Sequence, residues 1–171
     1  MLRKFVMAIS LIVAFALQST IFLKFNNNVV VPNLMIIFTA TMGIMHGNKT
    51  GMIVGFCCGL LSDIFFGPVI GMYALIYTYI GFMNGFVNRI FNPEALKLPI
   101  TMILGSDLIY SLITYLFLFV LRSRFHFLTY LKSVIIPELI FTILFTIVMY
   151  PLTLAVYNAF EKREGRGDYA D

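Results

Sequence analysis

Long apolar stretches alternate with brief polar breaks along the whole chain. The stretches are Phe5–Leu23, Val31–Met45, Gly51–Phe66, Val69–Val87, Pro99–Leu121 and Val134–Phe160. A bilayer's hydrocarbon core is about 30 Å thick and takes about 20 mostly apolar residues per helical span. The second and third stretches, at about 15 residues each, are expected to borrow from their flanks or to sit in a locally thinned bilayer. A membrane barrel would alternate apolar and polar residues over about 10 positions, whereas these runs are continuous. Only helices and closed barrels satisfy the backbone inside lipid. The pattern therefore predicts an all-α membrane protein. Its six transmembrane helices form one compact bundle, a single domain over residues 1–171 with a short charged tail at 161–171.

Composition removes the alternatives. Of the 171 residues, 60% are hydrophobic and 12% charged, against about 45–50% and about 25% in a soluble domain. Too little polar surface remains to cover a water-exposed globule, which excludes a soluble enzyme, a disordered tail and a disulfide-stapled secreted module. The net charge of +4 is spread over the ends of apolar segments, so no nucleic-acid partner is expected. Arg3, Lys4, Lys49, Arg89, Lys97, Lys162, Arg163 and Arg166 fall on one side of a six-span topology, and Lys24, Arg122, Arg124 and Lys132 on the other. By the positive-inside rule, eight against four places both termini in the cytoplasm of a multi-pass protein of the plasma membrane. The stretch from Arg122 to Lys132 mixes aromatics with basic ends and could lie along the interface. Arg3-Lys4 and Ala14-Phe-Ala16 imitate a secretory signal. The apolar run continues through Leu23, beyond the usual signal length of about 7–15 residues, so an uncleaved first span is expected.

Three acids lie within spans: Asp63, Asp107 and Glu138. No span contains a cation to pair with them, and ionised carboxylates in hydrocarbon normally turn toward a bundle interior. Asp107 falls about 12 Å into the fifth span from its cytoplasmic start, with Asp63 and Glu138 nearer the outer face. These acids suit a proton or cation relay, or the polar lining of a ligand cavity with Tyr77 and Asn84. They also suit buried groups that fix helix packing, with Ser62, Ser106, Tyr110 or Thr142 as partners, and for Asp107 and Glu138 this structural reading is the favoured one.

The third span is the most informative. Gly51, Gly55, Gly59, Asp63 and Gly67 stand four residues apart and form one ridge of a helix. Stripped of side chains, such a ridge lets another backbone approach closely, which matters where lipid offers no hydrophobic push. The fourth span carries Gly81 and Gly85, and Gly71 opens it. The third and fourth spans, joined by a tight Gly67-Pro68 turn, should form the packed centre. The glycines and Asp63 are candidates for helix packing or partner docking.

Gly51, Gly55-Phe56, Gly59-Leu60-Leu61, Asp63, Gly67, Gly71, Tyr73, Leu75, Tyr77 and Gly81-Phe82 together resemble the signature of the MreD family, the bacterial rod-shape-determining membrane proteins. Size, span count and charged tail are similar too. The resemblance implies a non-enzymatic accessory subunit of the peptidoglycan elongation complex. Its implied partners are MreC, the actin-like MreB, and a synthase pair of a shape-elongation-division-sporulation (SEDS) polymerase with a class B penicillin-binding protein. It also implies a likeness in fold to the S components of energy-coupling-factor transporters, and from this comes the alternative of a small-molecule-binding or transporter subunit.

Other features point to no chemistry. Cys57 and Cys58 are adjacent in mid-span and suit neither a relaxed disulfide nor a metal site. His46 and His126 lie in loops on opposite sides. No nucleophile with a base in reach is visible, so no enzyme, cofactor or metal is expected. Pro137 and Pro151 should bend the sixth span. Lys24 to Asn28 reads as an outer turn, and the tail from Glu161 to Asp168 as a solvated, mobile segment.

Overall fold

A computed structural model of the chain describes residues 2–24, 32–67, 69–88, 97–117 and 127–167. Apart from short turns, these are helical: α1 (Leu2–Lys24), α2 (Leu34–His46), α3 (Asn48–Phe66), α4 (Met72–Val87), α5 (Lys97–Tyr115), α6 (Phe127–Tyr130), a π-helical turn (Leu131–Ile135) and α7 (Ile136–Gly167). The last three run end to end as one rod. Asn48–Phe66, Lys97–Tyr115 and Leu128–Val156 are long and apolar enough to cross a membrane; Val6–Thr20, Leu34–His46 and Met72–Val87 are shorter apolar helices.

Two short spans solve their length in different ways. The third recruits Asn48, Lys49 and Thr50 to give 19 residues. The second remains at 13 residues, about 20 Å long, and is the central helix of the bundle. Every side chain from Leu34 to Ile44 is buried, as an all-round apolar helix requires. Its first turn needs partners for its free N–H groups. Asn33 Oδ1 accepts from Ile36 N at 3.3 Å, and Gln18 Oε1, from α1, accepts from Met35 N at 3.0 Å.

The body is inside-out. Met52, Ile53, Phe56, Leu60 and Ile64 on α3, Leu75, Tyr79 and Met83 on α4, and Ile140, Leu144, Ile147 and Val148 on α7 are exposed, whereas Asp63, Asn84, Ser106, Asp107 and Thr142 are buried. So much apolar surface facing outward marks a face that meets lipid or protein rather than water.

The structure corrects several expectations. The fourth span begins at Met72 rather than Val69, because residues 69–71 form the turn into it. The sixth begins at Phe127, not Val134: the apolar run from Phe127 to Leu131 folds as helix despite the flanking cations, so this part of the expected interfacial loop belongs to the rod. Pro137 sits directly after the π-helical turn. A proline ring crowds the carbonyl four residues back, and a widened π turn is one way a helix accommodates such crowding. The charged segment after Phe160 continues as helix to Gly167. The Lys24–Asn28 turn beyond Lys24, Pro68, residues 118–126 with His126, and residues after Gly167 lie outside the described residues.

Candidate functional site

The glycine ridge of α3 is filled from within the chain. A Cβ at Gly51 would run into the Gly81 carbonyl, one at Gly55 into that of Tyr77, and one at Gly59 into the backbone of Ala74 and Tyr73. From the other side, a Cβ at Gly81 would meet the Gly51 carbonyl, and one at Gly85 the backbone of Asn48. The pairing runs antiparallel, and α3 with α4 is the most extensive helix contact among the described residues. Gly43 of α2 also enters this seam, because a Cβ there would lie 2.7 Å from the Gly81 carbonyl. Three backbones thus meet at Gly43, Gly51 and Gly81. In this arrangement α4 lies in the groove along α3, packed against its glycines. The sequence reasoning missed Gly43, whose signal was its place eight residues before Gly51, reached back through the Gly47 bend.

Gly67 and Gly71 do not extend the ridge. Gly67 ends α3, its N–H donating to the Asp63 carbonyl at 3.1 Å. Gly71 precedes α4 with φ of 102°, a left-handed conformation open to glycine at no steric cost. This geometry aims the start of α4 at Asp63. Asp63 Oδ2 accepts from Gly71 N and Ala74 N, and Oδ1 from Tyr73 N, each at 2.9 Å. Gly71 has no side chain to cap α4, so a carboxylate from α3 does so, meeting free donors and the positive end of the helix dipole. Its partner is the neighbouring helix of the same chain.

The remaining polar candidates lie deeper. The Tyr77 hydroxyl donates to Asn33 Oδ1 at 2.9 Å, tying α4 to the start of α2. Asn84 Nδ2 donates to Ser106 Oγ at 2.7 Å, tying α4 to α5. Tyr77 and Tyr110 rings lie 5.5 Å apart. Asn84 and Tyr77 thus make their hydrogen bonds to different helices, with Tyr77 also within electrostatic reach of Asp107.

Asp107 and Glu138 are brought together across α5 and α7, within reach of each other's charge. Glu138 was expected nearer the outer face. Because the rod begins at Phe127, Glu138 is eleven residues into it, about 16 Å along the axis, level with Asp107. Glu138 Oε2 accepts from Ser111 Oγ at 3.0 Å. Ser111 was missed, though it lies four residues after Asp107 and so on the same helix face. Ser62 and Ser106 instead donate to the backbone of their own helices, at Cys58 and Met102. Asp107 is fully buried, and neither of its carboxyl oxygens has a protein donor within hydrogen-bonding geometry. Thr142, one of the partners expected for these acids, lies beside it, its hydroxyl outside good hydrogen-bond geometry.

Cys57 is exposed, Cys58 buried, and both are free thiols. Among the described residues no group of three or more His, Cys, Asp or Glu converges as a metal site.

A family model described as rod shape-determining protein MreD matches residues 1–160. No curated protein and no solved structure gives a significant match.

Proposed function

Because the chain belongs to the MreD family of rod shape-determining proteins, we propose that it is a non-enzymatic scaffold subunit of the peptidoglycan elongation complex in the bacterial cell membrane. It crosses the membrane six times with both termini in the cytoplasm, and works beside MreC, MreB, a SEDS polymerase and a class B penicillin-binding protein.

The observation that supports this reading is the distribution of polarity. Polar side chains are spent inside on caps and interhelical bonds, while bulky apolar residues cover the outer helix faces. A protein built this way presents only lateral surfaces to its partners. Depletion should turn rods into spheres, and the solubilised protein should co-purify with MreC. Rod shape retained after depletion would refute the shape role, and failure to co-purify in mild detergent would refute the scaffold role.

The S-component-like alternative draws on one observation, the buried polar groups around Asp107 that lack protein partners. It requires stabilisation of the purified protein by a small organic solute, which the scaffold reading does not.

A further inference from the structure

Asp107 and Glu138 lie within reach of each other's charge between α5 and α7, and among the described residues the titratable groups near them add no positive charge. These are Tyr73 and Tyr77 of α4, Tyr110 of α5 and Tyr130 of α6, all close enough to feel Glu138. Two ionised carboxylates there would leave two uncompensated negative charges in a medium that disfavours even one. Glu138 has one donor, the Ser111 hydroxyl. Asp107 has none.

A second feature points the same way. The Thr142 hydroxyl is fully buried beside Asp107, and its approach to the carboxyl falls outside good hydrogen-bond geometry. Two carboxylates and two hydroxyls gathered in one buried place, with Asp107 left without a well-formed bond, have the character of a cation's ligand set. It is hard and all-oxygen, with no sulfur or imidazole to favour a softer metal. The π-helical turn from Leu131 to Ile135 ends three residues before Glu138, and such turns are frequent at functional positions.

We propose that Asp107, Glu138, Ser111 and Thr142 bind one hard, oxygen-preferring metal cation between α5 and α7. A divalent ion cancels both carboxylates; a monovalent ion does so together with one proton. Binding fastens α7 to α5 and makes the stability of this half of the bundle depend on the ion. The inference is independent of the scaffold reading and holds or fails without it.

The test uses the full-length protein in detergent, stripped with chelator and exchanged into choline buffer. Calcium, magnesium, sodium or potassium is then added at matched ionic strength. At one hundred times the dissociation constant the bound ion should raise the melting temperature by about 5–10 °C. The metal that does so identifies the charge class. Thr142→Val should bind more weakly, and Asp107→Asn should lose the response. If Asp107→Asn does not fold, the wild-type comparison of metal with choline and the Thr142→Val titration decide the matter. Infrared spectra of the stripped and loaded wild-type protein give a second readout, since a divalent ion should remove the protonated-carboxyl C=O bands of the pair and a monovalent ion should leave one of the two. Melting indifferent to every metal, with protonated-carboxyl bands that persist throughout, would overturn the proposal.

Discussion

Replacing Asp63 by Asn tests whether this acid is the cap of α4. The carboxylate accepts three backbone N–H groups at 2.9 Å, two on Oδ2 and one on Oδ1. Asparagine is nearly isosteric but has one acceptor oxygen, and its amide nitrogen only donates. With that oxygen placed at Oδ2, the bonds from Gly71 and Ala74 survive in neutral form, and the Tyr73 N–H faces an NH2 group. Hydrogen bonds to a charged group contribute about 1.5–3 kcal/mol and neutral ones about 0.5–1.5. One bond lost and two weakened sum to about 3–5 kcal/mol. For a chain of this size each kcal/mol moves the melting temperature by about 2–4 °C, so a drop of about 6–20 °C is expected. The assay is thermal melting of the detergent-solubilised protein by size-exclusion chromatography, with hydrogen exchange at the Tyr73 and Ala74 amides as a local readout. Exchange should accelerate there before elsewhere. A melting temperature within about 2 °C of wild type and unchanged exchange at Tyr73 would refute the capping role.

Three further outcomes follow from the same geometry. Gly51→Ala should destabilise by about 1–3 kcal/mol through overpacking against Gly81, whereas Gly105→Ala, with no atom within 4 Å of the added Cβ, should be neutral or stabilising by up to about 1 kcal/mol; equal melting temperatures for the two variants would contradict the seam. Tyr77→Phe removes only the hydroxyl bond to Asn33 and should cost about 1 kcal/mol, visible as faster exchange at the start of α2. A membrane-permeant maleimide should label exposed Cys57 and spare buried Cys58, and mass spectrometry showing the reverse would place the wrong face of α3 outward.

What could be read from the sequence depended on how local the determinant was. The four-residue glycine spacing from Gly51 to Gly59 identified a ridge because it lies within one helix, and Gly81 and Gly85 marked its complement. Gly43 escaped notice because its role arises from a fold-back at Gly47, where φ is 82°, and not from spacing within its own helix. Asp63 was recognised as needing a partner, but its partners are backbone N–H groups across a turn, which carry no residue-type signature. Glu138 reads as lying only four residues into the last span because Arg122, Arg124 and Lys132 read as loop, although the residues from Phe127 onward form the first turns of the last rod. That one shift brings Glu138 level with Asp107.

The two halves of the bundle meet the same problem, holding helices together where lipid gives no hydrophobic push, by different means. In α2, α3 and α4 the means are backbone contact at Gly43, Gly51 and Gly81 and a carboxylate whose oxygens are both satisfied. Little in that block can move without breaking several contacts at once. In α5 and α7 the means are polar side chains that are only partly satisfied, with Asp107 and Thr142 lacking bonds, and α5 touches α4 at few points. Packing of the first kind has one low-energy arrangement, whereas the second retains buried groups whose energy depends on what they meet. A change of ion or proton occupancy, or a partner pressing on α7, therefore alters the α5–α7 contact at lower cost than the α3–α4 seam. The seam is the frame, and α5–α7 is the part of this protein through which a bound species would be felt.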